Sequence, residues 1–155
     1  MKYLFFSIIA LFFIIISKKI TTQNSPSILA IYNLNDKVES HKMKIKIGSK
    51  TFTATLFDNE TTKVFKTMLP LTLRMSELNG NEKYVRFSKN LPTNTESIGT
   101  IHEGDLMLWG ANTLVLFYKT FKTQYPYTKL GHIDNPSGLA AAVGSGDATI
   151  SFQLE

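Results

Sequence analysis

The chain has no cysteine, which excludes a disulfide framework, a cysteine-ligated zinc, a thiol nucleophile and a lipid anchor on an N-terminal cysteine. It has little net charge where a fold would sit. Of its 17 lysines and arginines against 12 acidic residues, Lys2, Lys18 and Lys19 fall in an N-terminal segment without an acid. Setting those three aside leaves 14 basic residues against 12. A field of that size does not imply nucleic acid. His41, His102 and His132 are widely separated and show no metal-ligand spacing, so no metal and no cofactor is expected. No Gly-x-Ser-x-Gly elbow is present, which removes the usual hydrolase triad. Gly144-Ser145-Gly146-Asp147 fails as a phosphate loop, because a cradle needs a strand before the glycines and a helix after them. Here a helical pattern precedes and a strand pattern follows. No internal repeat or low-complexity tract is evident.

What is present is apolar and rich in aromatics, with 11 phenylalanines, 6 tyrosines and 1 tryptophan in 155 residues. That length suits one domain with a real core. Leu4 to Ile16 is an apolar run interrupted only by Ser7 and preceded by Lys2. It fits a signal-peptide core and falls short of the roughly 20 residues that span a bilayer. Residues 1–20 are therefore expected to direct export, to a periplasmic or secreted location. Lys18 and Lys19 follow Ser17 with no small-x-small cleavage pattern, so an uncleaved anchor, the one membrane contact expected, stays open. Residues 21–42 read as a linker and 43–155 as the domain.

Within the domain, period-2 alternation marks half-buried strands at Met43/Ile45/Ile47, Phe52/Ala54/Leu56, Leu71/Leu73/Met75 and Ala148/Ile150/Phe152. Asp58 and Asn59 are N-cap residues for a helix whose apolar side is Val64, Phe65, Met68 and Leu69, ended by Pro70. Asn79-Gly80-Asn81 is a turn before a strand at Tyr84–Phe87, and Ser88–Gly99 reads as a long surface loop. Leu106–Trp109 and Leu114–Tyr118, joined through Gly110-Ala111-Asn112, read as a hairpin buried on both faces. So apolar a ribbon would aggregate at an open edge, and the rest of the chain must close around it. Thr128–Ile133 gives a further strand. Pro136–Val143 reads as a short helix capped by Asp134 and Asn135. About eight strands and two helices in this order predict a mainly β fold, a closed antiparallel barrel with helices over its ends.

MKIKIGSKTFTATLFDNETTKVFKTMLP resembles the opening strand–strand–helix of the cyclophilin fold. GDLMLWGANTLVLFY and YTKLGHIDNPSGLAAAVGSGDATISFQL resemble the second half of a bacterial family of cyclophilin-like proteins. The resemblance implies an eight-stranded barrel capped by two helices. It also implies where a proline-isomerase pocket would lie. Arg86 can be laid on the cyclophilin arginine, but the Phe, Met and Gln positions then read Leu91, Pro92 and Asn94, and Tyr127 stands at a pocket histidine. With one member of the site matched, a surface strand arginine is preferred to a catalytic one, and no catalytic residue is assigned.

Three functions compete. The first is an exported binding module for a peptide or small molecule, with Arg86, Trp109, Tyr125 and Tyr127 as candidate contacts. Trp109 and Phe117 are also the aromatics most expected in the core, whereas the loop tyrosines are harder to bury. The second is a peptidyl-prolyl isomerase with a degenerate pocket around Arg86. The third is acid–base chemistry by His102, Glu103 and Asp105, against which stands the plainer reading of charges solubilising a strand start. Basic and aromatic residues interleave at Lys119–Lys129, but an exported protein of low charge is not expected to bind nucleic acid.

Overall fold

The computed structural model describes residues 41–155. The expected signal segment and all but the end of the linker lie outside the described residues. The elements are β1 (Lys42–Ile47), β2 (Lys50–Leu56), α1 (Glu60–Thr67), β3 (Leu71–Leu78), β4 (Glu82–Arg86), β5 (Glu96–Ser97), β6 (Thr100–Ile101), β7 (Asp105–Trp109), β8 (Thr113–Phe117), β9 (Phe121–Lys122), β10 (Pro126–Ile133), α2 (Leu139–Val143) and β11 (Ala148–Leu154). Eight strands run β2–β1–β11–β3–β4–β8–β7–β10, and β10 pairs back onto β2, closing an antiparallel barrel. β5 adds to β10 outside the ring, and β6 and β9 form a separate two-stranded flap.

The hairpin β7–β8 lies where its composition requires. On its inner side Leu106, Leu108, Leu114 and Leu116 join the barrel core with Met43, Ile45, Phe65 and Phe152. On its outer side Met107, Val115 and Phe117 form a second core with Ile101 and Tyr127, against which Phe121 of the flap packs. Every residue of β8 is buried. Each such large side chain contributes about 1.5–3 kcal/mol by leaving water. The ribbon is thus covered by the barrel on one side and by the flap on the other.

Three local expectations are corrected. α1 starts as foreseen, with Asn59 Oδ1 accepting the Thr62 N–H at 2.9 Å, but its buried side is Thr61, Thr62, Phe65 and Lys66, while Val64 is exposed. The helix lies over carbonyls: Thr61 Oγ1 donates to Pro92 O at 2.7 Å and Thr62 Oγ1 to Leu130 O at 3.3 Å. Hydroxyls can satisfy those carbonyls where a valine could not. α2 is shorter than expected, because Gly138 takes a left-handed conformation at φ 84° immediately before it. Asn135 closes a turn on the Ser137 N–H instead of capping the helix, and Asp134 bonds Lys42 and Thr55 of the barrel wall. Finally, Ser88–Gly99 is not all surface loop: Leu91 is buried in the barrel core, and β5 lies within the segment.

Candidate functional site

On the outer face of the barrel the strand register sets side chains in rows. Arg86 of β4 pairs with Thr113 of β8, which pairs with Trp109 of β7. One row along, Tyr84 pairs with Val115, and the next pairs Glu82 with Phe117. Period-2 alternation therefore puts Glu82, Tyr84 and Arg86 on the same outward face. The loop from β9 to β10, Thr123–Tyr125, comes back over this face. Between the loop and the strands lies a groove of about 890 Å³, within the roughly 300–1,000 Å³ of small-molecule sites.

All four sequence candidates, Arg86, Trp109, Tyr125 and Tyr127, line this one groove. Their burial differs. Tyr127 is 6% exposed and packs edge-on against Phe117 with ring centroids 5.5 Å apart. Tyr125 is 67% and Trp109 47% exposed, which corrects the expectation of Trp109 as core. The reason is position: Trp109 ends β7 at the hairpin turn, beyond the cover of the flap. Phe117 is fully buried, as expected.

The sequence did not single out Glu82, Asn81, Tyr84 or Phe121, which line the same groove. Glu82 is only 9% exposed. Burial, with the charge of Glu77 as the second cause, pushes its carboxyl up to about 7. Burial and then the Glu82 charge also push the Tyr127 phenol up to about 12. The signal that could have found Glu82 is its i, i+2, i+4 spacing with Tyr84 and Arg86. A glutamate beside a turn otherwise reads as a solvated strand start.

On the opposite side of β4, Lys83 is fully buried inside the barrel end. Its ammonium donates to the Glu77 carboxylate, to Gly144 O at 2.9 Å and to Gly146 O. Tyr118 Oη adds a hydrogen bond to Glu77 at 2.8 Å. Burial works to raise Glu77, but the hydrogen bonds from Lys83, Tyr118 and Gly80 outweigh it and hold the carboxyl below its usual range. This cluster ties the turn before β11 to β3 and β4.

Other candidates lie elsewhere. The Asp105 carboxylate accepts the His102 N–H at 2.8 Å, and the Glu103 N–H donates to Thr120 Oγ1 at 3.0 Å. The first bond closes the turn before β7 and the second ties it to the segment after β8, and none of the three residues lines the groove. Leu91 is core, Pro92 accepts from Thr61, and the Asn94 N–H donates to Thr128 Oγ1. The positions laid on the isomerase cluster thus belong to the connection after β4, and none of them lines the groove with Arg86. Among the described residues no group of three or more histidines and carboxylates stands together as a metal site.

The model of the cyclophilin-like family matches residues 45–155, from β1 to the end of the chain. A solution structure of a hypothetical protein, AF2241 from Archaeoglobus fulgidus, is similar with a TM-score of 0.51 at 18% identity, over 75% of this chain and 95% of that one. At that identity the likeness concerns the fold alone. No curated protein matches.

Proposed function

This chain belongs to the cyclophilin-like family, and on that footing we propose that it is an exported binding module whose ligand, a peptide or small molecule, occupies the groove between β4–β8 and the β9–β10 loop. Export rests on the apolar run Leu4–Ile16 behind a basic residue. One observation carries the binding reading: exposed aromatic rings, Trp109 and Tyr125, flank a concave face that also holds a buried carboxyl. Large aromatics left on a concave surface are what ligands use for contact area. Trp109 is the only tryptophan of the chain, so its emission reports on the groove directly. A screen of the full-length chain against peptides, metabolites and glycans should find a compound that raises the melting temperature and changes Trp109 emission saturably. Silence across all three classes overturns the reading.

A second reading, an isomerase built around Arg86, draws on Arg86 and Tyr127 lining one groove. It predicts accelerated cis/trans exchange of a proline peptide, abolished by Arg86→Ala. A purified, folded protein that leaves the exchange rate unchanged removes it.

A further inference from the structure

We propose that the Glu82 end of the groove recognises an organic ammonium ion, a primary amine carried on an apolar stem. This rests on the groove being a ligand site and names the chemistry of its occupant. The side-chain carboxyl of Glu82 accepts no hydrogen bond and forms no ion pair among the described residues, although the residue is only 9% exposed; its backbone pairs with Leu78 and Phe117. Beside it, the Asn81 side-chain oxygen is enclosed and has no donor. Both groups present acceptors, and both line the groove.

The cations of the protein do not answer this need. Lys83, next in sequence, faces the other side of the sheet and is held by Glu77, Gly144 and Gly146. Arg86 stands four residues along the strand, roughly 13 Å away, and neither it nor Lys122 forms an ion pair with Glu82. A carboxylate without a partner in a place this buried is costly, and a cation supplied from outside relieves that cost. The walls fit the same ligand. Tyr84, Phe121 and Tyr127 line the same groove, and aromatic rings supply apolar surface for a stem and attract a cation. A hard metal ion would want six or more oxygens, and this end of the groove does not provide them. An anion would meet Glu82 itself.

The charged and titratable groups around Glu82 are Glu77 of β3, Tyr118 after β8 and Tyr127 of β10, with Tyr84, Arg86 and Lys122 along the groove. Because burial and Glu77 push the Glu82 carboxyl up to about 7, the ionised partner disappears in mild acid. Amine affinity should then fall about tenfold per pH unit below 7.

Calorimetry on the full-length chain tests this with phenethylamine and its neutral counterpart 2-phenylethanol. The expected result is at least a tenfold preference for the amine at pH 8, lost at pH 5.5 and lost in Glu82→Gln. Retention of amine binding in Arg74→Ala, a cation outside the groove that pairs with Asp147, further supports it. Nα-acetyl-lysine methylamide separates the sources: binding as tight as phenethylamine points to a lysine of a peptide, and much weaker binding to a free amine. Equal affinity for amine and alcohol, an amine affinity level from pH 8 to 5.5, or no amine binding overturns the proposal. The pH series on the wild type stands even if the variant fails to fold. A screened ligand that saturates Trp109 and binds Glu82→Gln as tightly leaves the groove standing and removes only the ammonium site.

Discussion

Glu82 and Asp134 set opposite responses to acid, and the sign for each comes from its surroundings. Glu82 titrates near 7 in the fold against 4.5 in the unfolded chain, because burial and then Glu77 disfavour its charge. Its contribution to stability is therefore complete below about pH 4.5 and is lost as pH rises through 7. Allowing for water in the groove, the effect is on the order of 1–2 kcal/mol. Glu82→Gln should accordingly be more stable than the wild type at pH 8 and equal to it at pH 4, in urea unfolding at both values. Asp134 behaves the other way. Hydrogen bonds from Lys42 and Thr55 hold its carboxyl below the usual range, so its contribution is present at neutral pH and fades in acid. Lys83→Met should cost about 3–5 kcal/mol in the same measurement, because it leaves Glu77 in a partly buried site without its cation. Neither role was legible in the residues Asn81–Arg86. Alternation shows which of these side chains share a face, but most of what covers each face, Phe121–Tyr127 on one side and Tyr118, Gly144 and Gly146 on the other, lies more than thirty positions downstream.

At the scale of elements, the hairpin β7–β8 divides its two faces between two cores. Leu116→Ala, on the inner face, should lower stability by about 2–5 kcal/mol by opening a cavity. Trp109→Ala, at the exposed end of β7, should change stability by less than about 0.5 kcal/mol while weakening any groove ligand. Paired unfolding and binding measurements on the two variants check this contrast. Gly131 marks the other sensitive place. There β10 shifts register and pairs with Leu56 of β2, and a Cβ would lie 2.4 Å from Thr55 O. Gly131→Ala should lower the melting point by the equivalent of about 1–3 kcal/mol, because backbone on the closing seam must move. Turn residues and period-2 runs made the strands legible. The helix faces were harder: Val64 fits an apolar stripe, but the surface beneath α1 offers carbonyls, so threonines face inward.

At the scale of the whole molecule, β10 joins three neighbours, β7, β2 and β5, and closes the ring. Hydrogen exchange should find the amides of β8 and β10 protected longest and those of the β6–β9 flap, two short strands, released first. A ligand in the groove should slow exchange at Phe121–Tyr125, and an unchanged flap in the presence of a saturating ligand would place that ligand elsewhere. The sequence by itself determined the eight barrel strands, the turns, the buried ribbon and hence the need for a closed wall, because alternation and turn chemistry act between near neighbours; it did not show the short strands β5, β6 and β9. Only the tertiary structure decided that Trp109 faces solvent, that Leu91 and Asn94 stay out of the groove that Arg86 lines, and that the Glu82 carboxyl is buried without a hydrogen bond or ion pair. Those outcomes depend on which distant strand and loop come to lie across each face, and no spacing along the chain encodes that.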